Sequence, residues 1–352
     1  MVQNKKNMLR ILSVGGFKGV SNTCLHRHWA LKYWADYIDE ISTNEKPWSL
    51  LNKISFHLFQ IKISVPLLND DQVNRKILNL INRKIYDIVW IDKGLTINPS
   101  TLKKIKKKQP QCIIISYSPD NMVLRHNQSC NYVKCIPLYD YHITTKSYIT
   151  KELQNLGAKN IIFTNKSYES TFHYPRKLTT YDIEKLGGDI GFIGAWEKER
   201  CESILYLVKR GLNVRIFGGG KWLEYKNKYS NLKIEDSGLF SEDYSKALQA
   251  FKISLCFLRK INSDLQTSRS MEIPACGGFM IAERTNEHLS LFREDEEAVF
   301  FSSNEELYDK CKYYLLHTEE REAIARAGHI RCQESGYSNL DTIKRILNLI
   351  AK

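Results

Sequence analysis

The chain has 352 residues, 43% hydrophobic and 26% charged, and its 52 Lys and Arg against 39 Asp and Glu give a formal net charge of +13. That length suits two α/β domains of roughly 150 residues, each able to bury its own core, and the composition excludes an intrinsically disordered chain. No apolar stretch approaches the ~20 residues of a membrane-spanning helix, while the positive charge favours an anionic partner without separating nucleic acid, anionic lipid and nucleotide-linked substrate.

Residues 9–14, Leu-Arg-Ile-Leu-Ser-Val, read as a buried first strand that ends in Gly15-Gly16-Phe-Lys-Gly19, with a helical segment over 28–34 behind it. The apolar run is too short and too quickly broken for a signal-peptide core, so a cytoplasmic protein is expected. Strand, glycine loop and helix open a Rossmann-like unit. Gly15, Gly16 and Gly19 lack the dinucleotide spacing, and no acid closes a second strand, which argues against NAD. Helical spacing over 73–82, a strand at 86–91, a helix at 99–108 and a strand at 112–117 follow, with Ser118-Pro119-Asp120 as a turn. Lys103, Lys104, Lys106, Lys107 and Lys108 read as a solvated helix end. A strand at 141–145, a helix at 149–156 and a strand at 160–164 complete an alternating domain with a mostly parallel sheet.

The stretch 164–186 lacks sustained periodicity and reads as the linker, with His173 inside it. The expected division is an N-terminal domain over 1–172, a C-terminal domain over 173–336 and a crossover helix over 337–352. The second half repeats the grammar of the first. Asp189-Ile-Gly-Phe-Ile-Gly194 is a strand and loop, then come a helix over 201–210, a strand over 213–217 and the triplet Gly218-Gly219-Gly220. A helix over 244–250 and a strand over 253–257 lead to Asp264, a helix carrying Arg269 and Glu272, a Gly277-Gly278 turn and a strand over 279–282. A strand over 298–301 and helices over 304–316, 319–327 and 339–351 end the chain. Nine cysteines are scattered and odd in number, with no CxxC or Cys/His quartet, so neither a disulfide framework nor a metal site is assigned.

Arg269-Ser-Met-Glu272-Ile-Pro-Ala-Cys-Gly277-Gly-Phe, followed by Glu283 and Leu289-Ser-Leu-Phe292, resembles the C-terminal signature of glycosyltransferases related to the spore-maturation CgeB group. Asp189 to Gly194, Phe217-Gly218 and Arg326-Ala-Gly-His-Ile-Arg331 extend the likeness, and Tyr86-Asp-Ile-Val-Trp with Asp120 carries it weakly into the first half. The resemblance implies an α/β protein of the GT-B class: two Rossmann-like domains with parallel sheets facing across a cleft, and a C-terminal helix packing back on the N-terminal domain. It further implies a metal-independent transfer of sugar, needing no cofactor, from a UDP-, GDP- or dTDP-sugar to a glycan, lipid-linked or protein acceptor. Retention of configuration is the favoured outcome, with peripheral membrane contact through a basic surface and no nucleic-acid partner.

Within that frame Glu272 would accept bonds from the ribose hydroxyls, since a carboxylate offers two acceptor oxygens. Asp264 stands where many retaining relatives carry Glu and would face the sugar; its rival role is to cap the helix that follows. Arg269 would fork onto the departing diphosphate, and its rival role is a surface pair with Glu272. Arg259 and Lys260 are further cations, and Gly194, Gly218, Gly219 and Gly277 would let backbone approach phosphate or base. Trp196 and Trp222 would border the base or belong to the core. On the acceptor side His26 and Asp120 are the candidate bases. Two rival functions use the same scaffold: a nucleotide-sugar epimerase or hydrolase, and a non-catalytic glycan- or nucleic-acid-binding protein.

Overall fold

A computed structural model describes residues 8–68 and 72–350. The chain divides into two compact units, one built from the residues up to Asn165 and from Thr342 onward, the other Lys166–Asp341. In the first, strands β1 (Arg10–Gly15), β2 (Tyr37–Ser42), β3 (Ile88–Asp92), β4 (Ile113–Ser118), β5 (Tyr141–Thr144) and β6 (Asn160–Phe163) form one parallel sheet in the order β2-β1-β3-β4-β5-β6. In the second, β7 (Gly188–Ile193), β8 (Val214–Phe217), β9 (Leu232–Glu235), β10 (Phe251–Cys256), β11 (Met280–Glu283) and β12 (Val299–Phe301) form another, in the order β12-β11-β10-β7-β8-β9.

Strands covered on both faces show continuous apolar runs, and β3, Ile-Val-Trp-Ile-Asp, is buried at every position. In the second unit alternate residues feed opposite faces of the sheet. Ile190, Phe192, Val299 and Phe301 join Ile204, Trp222 and Leu255 in one cluster, while Ile193 and Phe300 join Met271, Ile273 and Met280 in the other. Both sheets reverse strand order beside their first strand, between β1 and β3 and between β7 and β10. At such a reversal the connecting loops diverge above and below the sheet, leaving a crevice at the carboxyl ends where ligands of open α/β sheets collect.

Several elements lie outside the expected set. β2 and β9 are edge strands in which Glu40 and Lys233 face water while Asp39 and Glu235 pair with Lys84 and Arg215, so they lack a buried strand's apolar run. A helix over Leu50–Gln60 follows β2, and another over Thr180–Leu186 stands inside the expected linker. The latter has a reciprocal cap: Thr179 N–H donates to Asp182 Oδ2 at 3.0 Å and Asp182 N–H to Thr179 Oγ1 at 3.1 Å. His173, read as linker, is buried, with Nδ1 accepting the Glu169 N–H at 3.0 Å. The contact division falls after Asn165 and after Asp341, where the sequence reading placed it after 172 and 336. On the terminal helix, Asn339–Ile350, the residues from Thr342 onward pack with the first unit: Ile343, Ile346 and Ile350 are buried and Lys344 Nζ lies 4.9 Å above the Trp34 ring. All nine cysteines are buried and unbridged.

Burial holds three histidines, His28, His142 and His288, below the ordinary imidazole pKa. The unfolded chain binds protons at these positions below about pH 6.5 while the native state resists them. Their contribution is therefore complete above that pH and is lost as pH falls, by up to about 1.4 kcal/mol per pH unit for each histidine. Urea unfolding from pH 7.5 to pH 5 should show this decline, and His288→Gln should make it shallower.

Candidate functional site

The helix Ser268–Ala275 connects β10 to β11, and its first turn stands at the carboxyl edge of the second sheet. Thr267 occupies the N-cap position, so Asp264 is not the cap. Behind it lies a buried polar chain: His288 Nδ1 meets the Glu283 carbonyl at 2.6 Å and Nε2 meets Ser270 Oγ at 2.7 Å. A carbonyl can only accept, so Nδ1 carries the proton and Nε2 accepts from the serine, whose oxygen takes the Thr267 N–H at 3.0 Å. These bonds fix the orientation of the turn that presents Arg269.

Arg269 and Arg200 converge above Phe192, the penultimate residue of β7. Their guanidinium carbons lie 5.4 Å and 5.7 Å from the ring centroid. Arg200, on the helix Lys198–Val208, donates from Nη1 to the Ala195 carbonyl and from Nη2 to that of Leu258, each at 3.1 Å. Burial, reinforced by the charge of Arg269, pulls its pKa down to about 10. Arg269 Nη1 approaches Gly194, within 3.3 Å of where a Cβ would stand. The Nε atoms of both arginines are buried without a hydrogen-bond partner. Two adjacent guanidinium groups with unsatisfied donors are costly to bury alone and strongly favour an anion between or beside them.

Glycines frame this crevice. The Trp222 indole N–H donates to the Gly194 carbonyl at 3.0 Å, and a Cβ on Gly218 would lie 2.5 Å from both that oxygen and Trp222 Cδ1. Trp222 is 1% exposed, so it is a core residue that braces the loop rather than a platform for a base. Gly218→Ala should displace it and cost about 1–3 kcal/mol in thermal unfolding. Gly219 turns the next step at φ +60°. Trp196 is partly buried against the same core, with Lys221 Nζ 4.8 Å above its ring.

The remaining candidates separate. Arg259 and Lys260 reach this edge but already face acids: Glu197 Oε1 lies 3.3 Å from Arg259 Nε, and Glu283 pairs with Lys260 Nζ. Glu197 also lies 3.6 Å from Arg200, and Glu283 accepts the Leu258 N–H at 2.7 Å. Glu272 sits one turn beyond Arg269 and is 8% exposed, with Oε2 accepting the Tyr244 hydroxyl at 2.5 Å. Burial, then the Glu272 charge, raises the pKa of that phenol, keeping it a donor. Asp264 is buried on the loop before the helix and accepts from Asn262 Nδ2 at 2.7 Å. Gly277 does not join the group. It follows the C-terminal end of the Ser268–Ala275 helix with φ +74°, facing Pro175, about 12 Å of helix away from Arg269.

In the first unit His26 is buried, with Nε2 2.7 Å from the Val20 carbonyl, so that nitrogen is a donor rather than a base. Asp120, on the loop after β4, lies 2.5 Å from Lys93 Nζ. Neither lines the crevice of about 320 Å³ at the β1/β3 reversal, which is bounded by Gly16, Asn22, Asp92 and Lys93. Beside that crevice the sequence reading missed a buried ion pair. Arg27 Nε and Nη2 both lie 2.7 Å from Asp92 Oδ2, with the guanidinium 4.3 Å from the centre of the Tyr117 ring.

Residues 199–348 match the family model described as glycosyl transferase-like. No curated protein matches the chain. Among solved structures it is similar to Anabaena HepE in complex with UDP-glucose, with TM-score 0.66, 10% identity, and coverage of 98% of this chain and 100% of that one. It is similar to sucrose-phosphate synthase from Thermosynechococcus elongatus, with TM-score 0.64, 10% identity and coverage of 97% and 99%. A glycosyltransferase from Rickettsia africae gives TM-score 0.62, 13% identity and coverage of 97% and 98%. The two parallel six-stranded sheets with their flanking helices are thus the GT-B fold of glycosyltransferases, and the segment that matches the family model contains Arg200, Arg269 and Glu272.

Proposed function

We propose that the protein transfers a sugar from a nucleoside diphosphate sugar to an acceptor hydroxyl, with the donor held on the Lys166–Asp341 unit at the β7/β10 reversal. The observation that carries this reading is the pair of guanidinium groups of Arg200 and Arg269, their Nε atoms unsatisfied, above Phe192. The UDP-glucose carried by the HepE structure supports the ligand class, although identity of 10% establishes fold alone.

In the reaction the bond from anomeric carbon to phosphate oxygen breaks, the nucleoside diphosphate leaves with the electron pair, and the acceptor oxygen bonds to that carbon and passes its proton to the departing phosphate oxygen. Arg269, with Arg200 behind it, neutralises the charge growing on the leaving group, which is where preorganised cations contribute most. Gly194, Gly218 and Gly219 let backbone approach the phosphates. Glu272, oriented by Tyr244, takes the ribose hydroxyls, and Asp264 lies on the sugar side. Supplying positive charge from side chains suits a metal-independent reaction. Retention is the favoured outcome, because both candidate bases are engaged: His26 Nε2 donates to Val20 and Asp120 pairs with Lys93.

Incubation with UDP-, GDP- and dTDP-sugars, with and without glycan acceptors, tests the reading by product analysis. Release of nucleoside diphosphate matched by a new glycoside is expected. An isomerised nucleotide sugar or a free monosaccharide alone would mean an epimerase or hydrolase, and salt-dependent nucleic-acid binding without nucleotide-sugar binding would mean a binding module.

A further inference from the structure

The helix Leu50–Gln60 presents its apolar stripe to water. Leu50, Ile54, Leu58 and Ile61 follow one another at the spacing of a single helix face. Leu50 is 73% exposed, Ile54 47% and Ile61 57%, and Leu51 beside them is 61% exposed. The opposite face, which packs on the first unit, holds Asn52, Ser55 and Phe59, all buried. Asn52 is fully buried, its Nδ2 donating to the Leu68 carbonyl at 2.9 Å and its Oδ1 accepting the Leu68 N–H at 2.5 Å. Phe59 lies under the Arg125 guanidinium, 4.0 Å from the ring centroid. The inner face is thus held in place by Asn52 and Phe59, and the helix cannot roll its leucines inward. Ile63, beyond the helix, is also half exposed. A contiguous apolar surface of this kind marks an interaction site.

Charge identifies the partner. From residue 46 to residue 68 the chain carries Lys46, Lys53 and Lys62 and not one Asp or Glu. Two copies meeting through this face would set those lysines against each other with no acid of the segment to offset them. A short helix with an apolar stripe and flanking lysines lies instead in a bilayer interface, leucines among the acyl chains and lysines at anionic head groups. With 11 residues the helix is far too short to span, and among the described residues no helix is long and apolar enough to cross a membrane. We propose that the Leu50–Gln60 helix, with Ile61 and Lys62, docks the first unit onto a lipid surface containing anionic head groups. The proposal does not rest on the sugar-transfer reading.

Flotation with vesicles of phosphatidylcholine alone, and of phosphatidylcholine mixed equimolar with phosphatidylglycerol, tests it. Wild type should float with the anionic vesicles and much less with the neutral ones. The triple variant Leu50→Ser, Leu51→Ser, Ile54→Ser, all at exposed positions, should bind at least about tenfold more weakly. Lys53→Gln and Lys62→Gln, which leave the apolar face intact, should each weaken binding about fivefold and reduce its salt dependence. Absence of vesicle binding by wild type would overturn the proposal, as would anionic binding unchanged in these variants. So would a wild-type dimer in light scattering that the triple variant dissociates while vesicle binding stays absent, since that outcome assigns the face to a second copy.

Discussion

Arg269→Ala should lower kcat/KM for sugar transfer by about 10²–10³, because a cation placed where leaving-group charge develops acts mainly in the transition state. The loss should appear mostly in kcat, with little change in melting temperature, since the Arg269 Nε has no hydrogen-bond partner to lose. Arg269→Lys should recover only part of the rate, since an ammonium cannot fork onto two phosphate oxygens. Arg200→Ala is a less clean test: Arg200 also ties down the Ala195 and Leu258 carbonyls, so its removal should cost stability as well as rate. Steady-state kinetics beside thermal unfolding of the four proteins separates these effects. A kcat/KM for Arg269→Ala within a fewfold of wild type would remove Arg269 from the site.

Asp92→Ala should cost about 3–5 kcal/mol in urea unfolding, because it strands the buried Arg27 charge. The pair lies at the end of β3 beside the first-unit crevice, with side-chain exposures of only 7% and 6%. Replacing both partners with leucine should recover most of the loss, since an apolar pair avoids the desolvation that the ion pair must offset. A single variant as stable as the double one would show that the pair is not coupled as its geometry requires.

The alternating plan was legible because ten of the twelve described strands are apolar runs punctuated by glycine or turn residues. The two that escaped, β2 and β9, are edge strands, where one side of the ladder meets water and charged side chains replace the apolar run. The helix Thr180–Leu186 had a readable signal, Thr179 three residues before Asp182, hidden in a stretch without long-range periodicity. The Leu50–Gln60 helix escaped for the opposite reason. Leu51, Phe56 and Phe59 interrupt the spacing of Leu50, Ile54 and Leu58, and only the packed structure shows which apolar residues stay outside.

At the candidate site, Arg269, Glu272, Gly194 and Gly218 were singled out from one local motif and two strand ends. Arg200 was not, because its significance comes from meeting Arg269 across β7, a contact between two helices far apart in sequence. Tyr244 was missed for the same reason: its partnership with Glu272 is tertiary. Gly277 drew attention as part of a Gly pair, yet a helix end and a phosphate loop both ask for glycine, and its φ of +74° shows which need it serves. Arg259 and Lys260 were visible as cations, but the acids that face them, Glu197 and Glu283, come from other loops.

Titration calorimetry of UDP, GDP and dTDP with wild type, Glu272→Ala and Arg269→Ala tests the donor site most directly. One nucleotide should bind wild type saturably. Loss of the ribose contacts in Glu272→Ala should weaken it about tenfold to hundredfold, the worth of hydrogen bonds to a charged group, and Arg269→Ala should weaken it further with the fold intact. Equal affinity in all three proteins, or no binding by folded wild type, would contradict a nucleotide site at the β7/β10 reversal.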